Sequence, residues 1–385
     1  MSPRLAAVLD DLAGSGSGRW HAVRFRQGEG SVTFRADRVE VTQTAIDTLY
    51  SYRITPPERG RAGWDITMCT AAVLDTTAVS GVFADAPRRE IGPRLHARVV
   101  SSARGQTYWV AEHATIIHAD HSTATITAHC TSVQSARYWA ARLVRQAMTA
   151  QLLAAGAVYA HAAAFTHRGR GVLITGHRGA GKTTTLLTSL RLLGGDYVTN
   201  DRLLLRREGG DLVGRPWPAR IRVGVGTLLA MPELADLAPV DLRDLPEHQR
   251  WHHRDKVTIE PPEFSRLLSE GVIVSKVRPR LMLWPHLSSG ANGAAPTAVS
   301  ADDAYEVLLA TRLFMLDPSS GVSSHINHWL IGTAPAARTA ENLRHVVENL
   351  AATVPCYRLP VDGHPAALAA QISALLADIP SAHDH

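Results

Sequence analysis

The residues of this chain best suited to chemistry form the pattern G-x-x-x-x-G-K-[ST], which opens at Gly176 and closes at Thr183. Gly176, Gly179 and Gly181 permit backbone angles that turn successive N–H groups into one concavity, and that concavity opens onto a helix N-terminus. Such a cradle suits the phosphates of a nucleoside triphosphate. Lys182 can reach the β- and γ-phosphates as a point charge, and the Thr183 hydroxyl can ligate a magnesium ion bridging the same oxygens. The nucleotide-binding set is therefore Gly176, Arg178, Gly179, Ala180, Gly181, Lys182, Thr183 and Thr184, with ATP and Mg2+ as the implied ligands. Of the 40 Lys and Arg residues only Lys182, Lys256 and Lys276 are lysine, so a lysine in this loop stands out where arginine is the default.

A second chemical group is Asp201, 19 positions after Lys182 and at the C-terminal end of the next short strand. Ligands gather at that end of strands in an open α/β sheet. A carboxylate there can accept the proton of an attacking hydroxyl, or hold magnesium directly or through water. The base role is favoured for Asp201, with Asn200 as the magnesium or water-positioning neighbour; the plainer alternative is an Asx turn closing the strand.

These groups need a strand, a loop and a helix in order, and the sequence supplies them. The apolar run 172–175 feeds the loop, and residues 184–193 read as the helix that follows, ended by Gly194 and Gly195. Before the strand, the run from His161 to Thr166 and a polar glycine-containing turn read as the first arm of a β-hairpin. Ser135 is a plausible N-cap for a long helix through about 155, which carries the chain into the nucleotide domain. Beyond the loop, 281–284 and 355–359 read as strands and 302–314, 340–352 and 365–376 as helices. The first 130 residues show short β-branched runs such as 31–35, 99–102, 107–111 and 123–127 between turn formers. Residues 14–18 read as a tether, 55–60 as a loop and 381–385 as a disordered tail.

The hairpin opening at His161, the strand from Gly171, the loop 176–183 and the acidic position at Asn200 and Asp201 together resemble the catalytic domain of HPr kinase/phosphorylase and its relatives. The resemblance covers residues 159–205 well, the rest of the C-terminal half loosely and the first 130 residues hardly at all. It implies a fold and a role for two residues. His161 matches the histidine by the active site, and Asp201 the aspartate that activates the acceptor hydroxyl. The family has two adjacent aspartates where this chain has Asn200 and Asp201, and a glutamate where 218–226 carries arginines. Those departures point away from phosphorolysis and from HPr itself as substrate. Arg220, Arg222, Arg254 and Lys256 are candidates for neutralising transition-state charge or gripping an anionic acceptor, against a plain role as solvated cations.

Composition sets the outer bounds. A chain of 385 residues with 45% hydrophobic content supports two domains. The expected division is a β-rich α+β N-terminal domain over 1–134 and a P-loop, HPr kinase-like α/β domain over 135–380. No run approaches a membrane span and no signal peptide opens the chain, which gives a cytoplasmic expectation with no membrane partner. Cys69, Cys130 and Cys356 lack metal or disulfide spacing, and His113, His118, His121 and His129 fit no common zinc pattern. The net charge of +5 comes from scattered arginines without interleaved aromatics, so no nucleic-acid partner is expected. Residues 252–256 read as a polar surface loop. Homo-oligomerisation is left open.

The reading with most support is an ATP-dependent kinase with Asp201, Lys182 and His161 as catalytic residues and Thr183, Asn200 and Asp201 around the metal. The acceptor is the hydroxyl of a small biosynthetic molecule, sugar or nucleoside-like, with a peptide or protein serine as the alternative. A nucleotide-dependent switch or ATPase is a third class, disfavoured because no aliphatic strand ending in Asp-Glu and no N-K-x-D follow the loop.

Overall fold

The computed structural model describes residues 19–57, 63–70, 74–92, 94–177, 179–253, 255–260, 264, 268, 271–287, 294–310, 336–361 and 364–379. The expected tether at 14–18, the tail at 381–385, Arg178, Arg254 and the end of the expected 302–314 helix lie outside them. The chain parts into two compact units at Ala155/Gly156.

The first unit holds β1 (His21–Gln27), β2 (Gly30–Ala36), α1 (Val39–Thr48), β3 (Arg53–Thr55), β4 (Trp64–Cys69), α2 (Thr76–Val82), β5 (Arg88–Gly92), β6 (Leu95–Ser101), β7 (Gly105–Val110), β8 (Thr115–Asp120), β9 (Thr125–Cys130) and α3 (Val133–Ala154). Its strands form one nine-stranded sheet in the order β3-β1-β2-β4-β9-β8-β7-β6-β5. The pairs β2/β4 and β4/β9 are parallel and the other pairs antiparallel. Phe25, Val32, Phe34, Ile66 and Ile126 are fully buried, as alternating strands with one face on a core require.

Helix α3 matches the expected long helix in extent but not in cap or in allegiance. Ser132, not Ser135, is the N-cap, its hydroxyl accepting the Ser135 N–H at 3.1 Å. Its buried side, with Trp139, Leu143 and Met148, packs on α1, β2, β4 and β9, which places the helix in the first unit instead of the nucleotide half. A Cβ at Gly30 would meet the Met148 sulfur, so the strand lies close against this helix and any side chain there requires Met148 to shift.

The second unit is a mixed α/β arrangement. It runs β10 (Val158–Ala160), β11 (Ala163–His167), β12 (Arg170–Ile174), α4 (Lys182–Leu192), β13 (Asp196–Thr199), β14 (Leu203–Glu208), β15 (Asp211–Pro216), β16 (Ile221–Gly224), α5 (Val225–Leu229), α6 (Val240–Arg243), α7 (Glu247–His252), β17 (Lys256–Ile259), β18 (Pro279–Leu287), β19 (Thr297–Val299), α8 (Ala301–Ala310), α9 (Ala336–Thr353), β20 (Cys356–Val361) and α10 (Pro365–Ala377). The main sheet has the order β13-β11-β12-β18-β20-β19. Strands β12, β18 and β20 are parallel neighbours, and β11 runs antiparallel to both β12 and β13. It follows that β13 points the same way as β12. Helix α4 packs on β11, β12, β18 and α10, while α8 and α9 share a core with Leu173, Met282 and Cys356 of the sheet. The unbroken apolar runs of β12 and β18 are what strands covered on both faces need.

Candidate active site

The expected hairpin forms: β11 and β12 pair from Ala163↔Ile174 to His167↔Arg170. Arg168 and Gly169 make its two-residue turn with φ of 49° and 78°, the left-handed pair that a tight hairpin requires. Residues 176–181 follow at the C-terminal end of β12. Gly176, Gly179 and Gly181 have φ of 136°, 86° and 102°, values closed to side-chain-bearing residues. The loop is also seated between neighbouring strand ends. A Cβ at Gly176 would stand 3.2 Å from Ala180 Cβ and 3.3 Å from the Trp284 ring of β18, and one at Gly181 would stand 3.4 Å from Val361 of β20.

Gly181 is the N-cap of α4 and offers no capping side chain, so the first N–H groups of the helix face the concavity without intrahelical partners. Lys182 is the first helical residue. Its ammonium donates to the carbonyl oxygens of Gly176 at 2.6 Å and His177 at 3.1 Å, and it makes no ion pair among the described residues. Burial, with only 9% of the residue exposed, pushes the Lys182 pKa down. The nearby Asp201 charge works against that fall and the Lys256 charge adds to it, and the result is about 8. A buried cation held only by neutral oxygens is a group with unspent charge. The donor set fits a polyphosphate: orphan helix N–H groups, permissive glycines and this lysine.

Thr183 is half-buried in the first turn of α4, where its hydroxyl could join a magnesium shell. Thr184 differs from the expectation. Its hydroxyl is buried and bonded at 2.8 Å to Thr227 of α5, so only its backbone N–H can serve a phosphate. That contact ties the first turn of α4 to the β16–α5 segment.

Asp201 follows β13 by two residues, and because β13 and β12 run in the same direction it sits at the sheet edge that carries the loop. Its Oδ1 is 2.9 Å from Nε2 of His161, which lies between β10 and β11. Its Oδ2 accepts from Arg202 Nε at 3.0 Å. Burial works to raise the carboxyl pKa; the His161 hydrogen bond and charge and the Arg202 guanidinium outweigh it and hold the group well below the usual carboxylate range. Asp201 is thus ionised at ordinary pH. The Asx-turn alternative, with the carboxylate spent on its own backbone, is not what the structure shows.

Arg202 was absent from the sequence reading. Its guanidinium lies 4.7 Å over the Trp217 ring, and the Tyr159 hydroxyl is a hydrogen-bond partner. Trp217 N–H donates to the Arg202 carbonyl at 3.0 Å, so backbone and side chain are both anchored. The only signal available in the sequence was adjacency to Asp201, and neighbours on an extended segment seldom share a target. Asn200 departs the other way. It is buried, and its amide oxygen accepts from the Tyr197 hydroxyl at 3.0 Å, so the oxygen assigned to magnesium is engaged in the core.

No family model matches this chain, and no curated protein sequence matches it. Among solved structures it is similar to the Hpr(Ser) kinase/phosphatase of Coxiella burnetii. The match is 15% identical, has a TM-score of 0.29, and covers 57% of this chain and 96% of that chain. At that score the likeness carries no argument, and the chemistry rests on the residues themselves.

Of the remaining candidates, Lys256 opens β17 opposite Gly224, the N-cap of α5, and acts electrostatically on Lys182. Arg220 pairs with Glu260 at 3.2 Å in solvent and Arg222 is exposed. Of the expected loop at 252–256, His253 and Asp255 lie between the end of α7 at His252 and the start of β17 at Lys256, as a connecting loop does, and Arg254 is outside the described residues. The histidines weighed for zinc have other occupations. His113 stacks on Tyr138 at 3.9 Å, and His118 Nδ1 bonds Thr107 at 2.9 Å. No helix of the described residues is long and apolar enough to cross a membrane.

Proposed function

We propose that this protein is an ATP-dependent phosphotransferase that moves the γ-phosphoryl group to an alcohol. The single observation carrying the proposal is a buried, unpaired Lys182 at a glycine-built helix N-terminus, with an ionised Asp201 at the same sheet edge. Orphan N–H groups and Lys182 hold the polyphosphate. Thr183 and Asp201 would hold a magnesium ion, which would supply neutralisation of the phosphate charge.

The acceptor oxygen forms a bond to the γ-phosphorus as the bond from that phosphorus to the β–γ bridging oxygen breaks, and ADP leaves. The acceptor proton passes to Asp201. A carboxylate held at low pKa is a weak base, so it takes the proton late, once the acceptor oxygen has given charge to phosphorus. His161 and Arg202 fix the carboxylate in place, which is where a positioned base gains most of its effect. The charges of Lys182, Lys256 and Arg202 stand with that of Asp201 in this region, a balance that suits a polyanion.

For the acceptor we favour a small biosynthetic molecule, sugar or nucleoside-like. The half-buried Trp217 beside the Asp201–Arg202 pair gives support, since indoles pack well on rings. The test is transfer from γ-labelled ATP with magnesium into fractionated extract, read by mass spectrometry. A labelled metabolite supports the reading, a labelled peptide replaces the acceptor class, and free phosphate alone refutes transfer in favour of an ATPase.

A further inference from the structure

The first unit carries a concavity of about 290 Å³, remote in sequence from the phosphate loop and owing nothing to the kinase reading. Ser80, Arg88, His96, Arg98, Trp109 and Glu112 line it. Strand register explains how they meet. Arg88 of β5 stands directly opposite Arg98 of β6, and Arg98 stands opposite Trp109 of β7, so the three form one row on one face of the sheet. His96, two residues before Arg98, points to the same face. Helix α2 and its C-cap cover the neighbouring part of that face through Val79 and Phe83, which pack with Trp109 and Ile116, and Ser80 lines the concavity.

Two guanidiniums directly opposite on paired strands repel each other. The fold leaves this pair uncompensated. Arg88 has no ion pair or hydrogen bond among the described residues, and Arg98 uses only Nη1, donating to the carbonyls of Ala84 at 2.7 Å and Ala86 at 2.9 Å. Those two bonds hold Arg98 in one orientation and leave its other donors unspent. A separate observation points the same way: Nδ1 of His96 is buried and has no hydrogen-bond partner. An unsatisfied buried nitrogen is costly unless a polar group completes it, and the two exposed guanidiniums beside it favour a negative one. The Trp109 ring, 4% exposed, gives the concavity an apolar floor, and Glu112 places one negative charge at its rim.

We propose that this concavity binds a small molecule through one carboxylate, gripped between Arg88 and Arg98 with His96 as third partner, while an apolar body lies against Trp109. Two planar guanidiniums match a carboxylate in shape as well as charge. The Glu112 charge turns the site against dianions such as sulfate or phosphate. It also admits an ammonium group, so α-amino acids fall within the accepted class.

The test is calorimetric titration of the full chain at constant ionic strength with acetate, benzoate, a panel of α-amino acids, sulfate and phosphate. Wild type and the variants Arg88→Glu, Arg88→Gln and Lys182→Ala are compared. Arg88 is exposed, so its replacement leaves the fold intact, which a melting curve checks. The expected result is saturable 1:1 binding of at least one apolar monocarboxylate or amino acid, unchanged in Lys182→Ala. It should weaken about tenfold or more in both Arg88 variants. Any of three results overturns the proposal: no carboxylate saturating below about 10 mM, binding that ignores Arg88, or sulfate and phosphate binding more tightly than every carboxylate.

Discussion

The pKa of Lys182 makes nucleotide binding a proton-uptake reaction, and the size of the effect follows from the structure. In the free protein burial, with the Lys256 charge, brings this lysine from its ordinary 10.5 to about 8. A polyphosphate seated against it restores the charged form. With a free value near 8, about nine-tenths of the molecules carry the proton at pH 7 and about one-tenth at pH 9. Affinity for the magnesium nucleotide should therefore fall about tenfold between those pH values, or about 1.4 kcal/mol. The last phosphate proton, near pH 6, is off for nearly all of this range. Calorimetry in buffers of different ionisation heat should find about half a proton taken up per site at pH 8 and about nine-tenths at pH 9. Lys182→Arg, which stays charged, should bind with no such slope. The same lysine acts on stability with the opposite sign. Its folded value lies below its unfolded one, so the free protein gains stability as pH rises from about 8 toward 10.5, by up to on the order of 3 kcal/mol. Affinity that stays flat from pH 7 to 9, with no proton uptake, would refute the placement of phosphate against this lysine.

Four further outcomes are expected. Asp201→Asn should keep nucleotide affinity within a fewfold and lose transfer by about 10²-fold or more, and a variant turning over at the wild-type rate removes the base assignment. Because the folded pKa of Asp201 is depressed, its contribution to stability is present above about pH 4 and lost as pH falls further. Urea midpoints should accordingly drop more steeply on acidification in wild type than in Asp201→Asn. Gly181→Ala puts a side chain at φ 102° and 3.4 Å from Val361, so nucleotide binding should weaken at least tenfold at a cost of about 1–2 kcal/mol in stability. Gly171→Ala sets a Cβ 2.0 Å from the Arg278 carbonyl of the adjoining segment, where backbone must move. Overpacking of about 1–3 kcal/mol should lower the melting temperature by roughly 2–4 °C for each kcal/mol in a unit of this size, and an unchanged melt contradicts the close approach.

What was legible in the sequence was local, and what was missed was held by contacts between distant residues. The loop at 176–183 could be read because the glycine spacing, the apolar run of β12 and the helix of α4 all lie within about twenty residues and each enforces the next. Helices α9 and α10 were readable for the same reason, from periodicity alone. The parallel pairs β2/β4 and β4/β9 join strands separated by a helix or by several strands, and no local pattern names such a neighbour. Amphipathic spacing showed that α3 has a buried side but not which sheet it covers. It was therefore assigned to the wrong unit, although its ends were read to within a few residues.

The same division runs through the two sites and decides how each must be tested. Asp201 was found by its distance from Lys182, yet its acidity is set by His161, forty residues earlier, and by an Arg202 whose direction depends on Trp217 and Tyr159. Chain positions alone could not tell a free base from a clamped one. The Arg88–Arg98 pair was invisible for a stronger reason. The arginines are ten residues apart in a chain rich in arginine, and only the β5/β6 register brings them face to face. A single-residue slip of that register would turn Arg98 to the other side of the sheet and dissolve the row with Trp109. The proposed carboxylate site is thus a property of pairing, not of composition, and a change that shifts the register should abolish it while every lining residue remains in the chain.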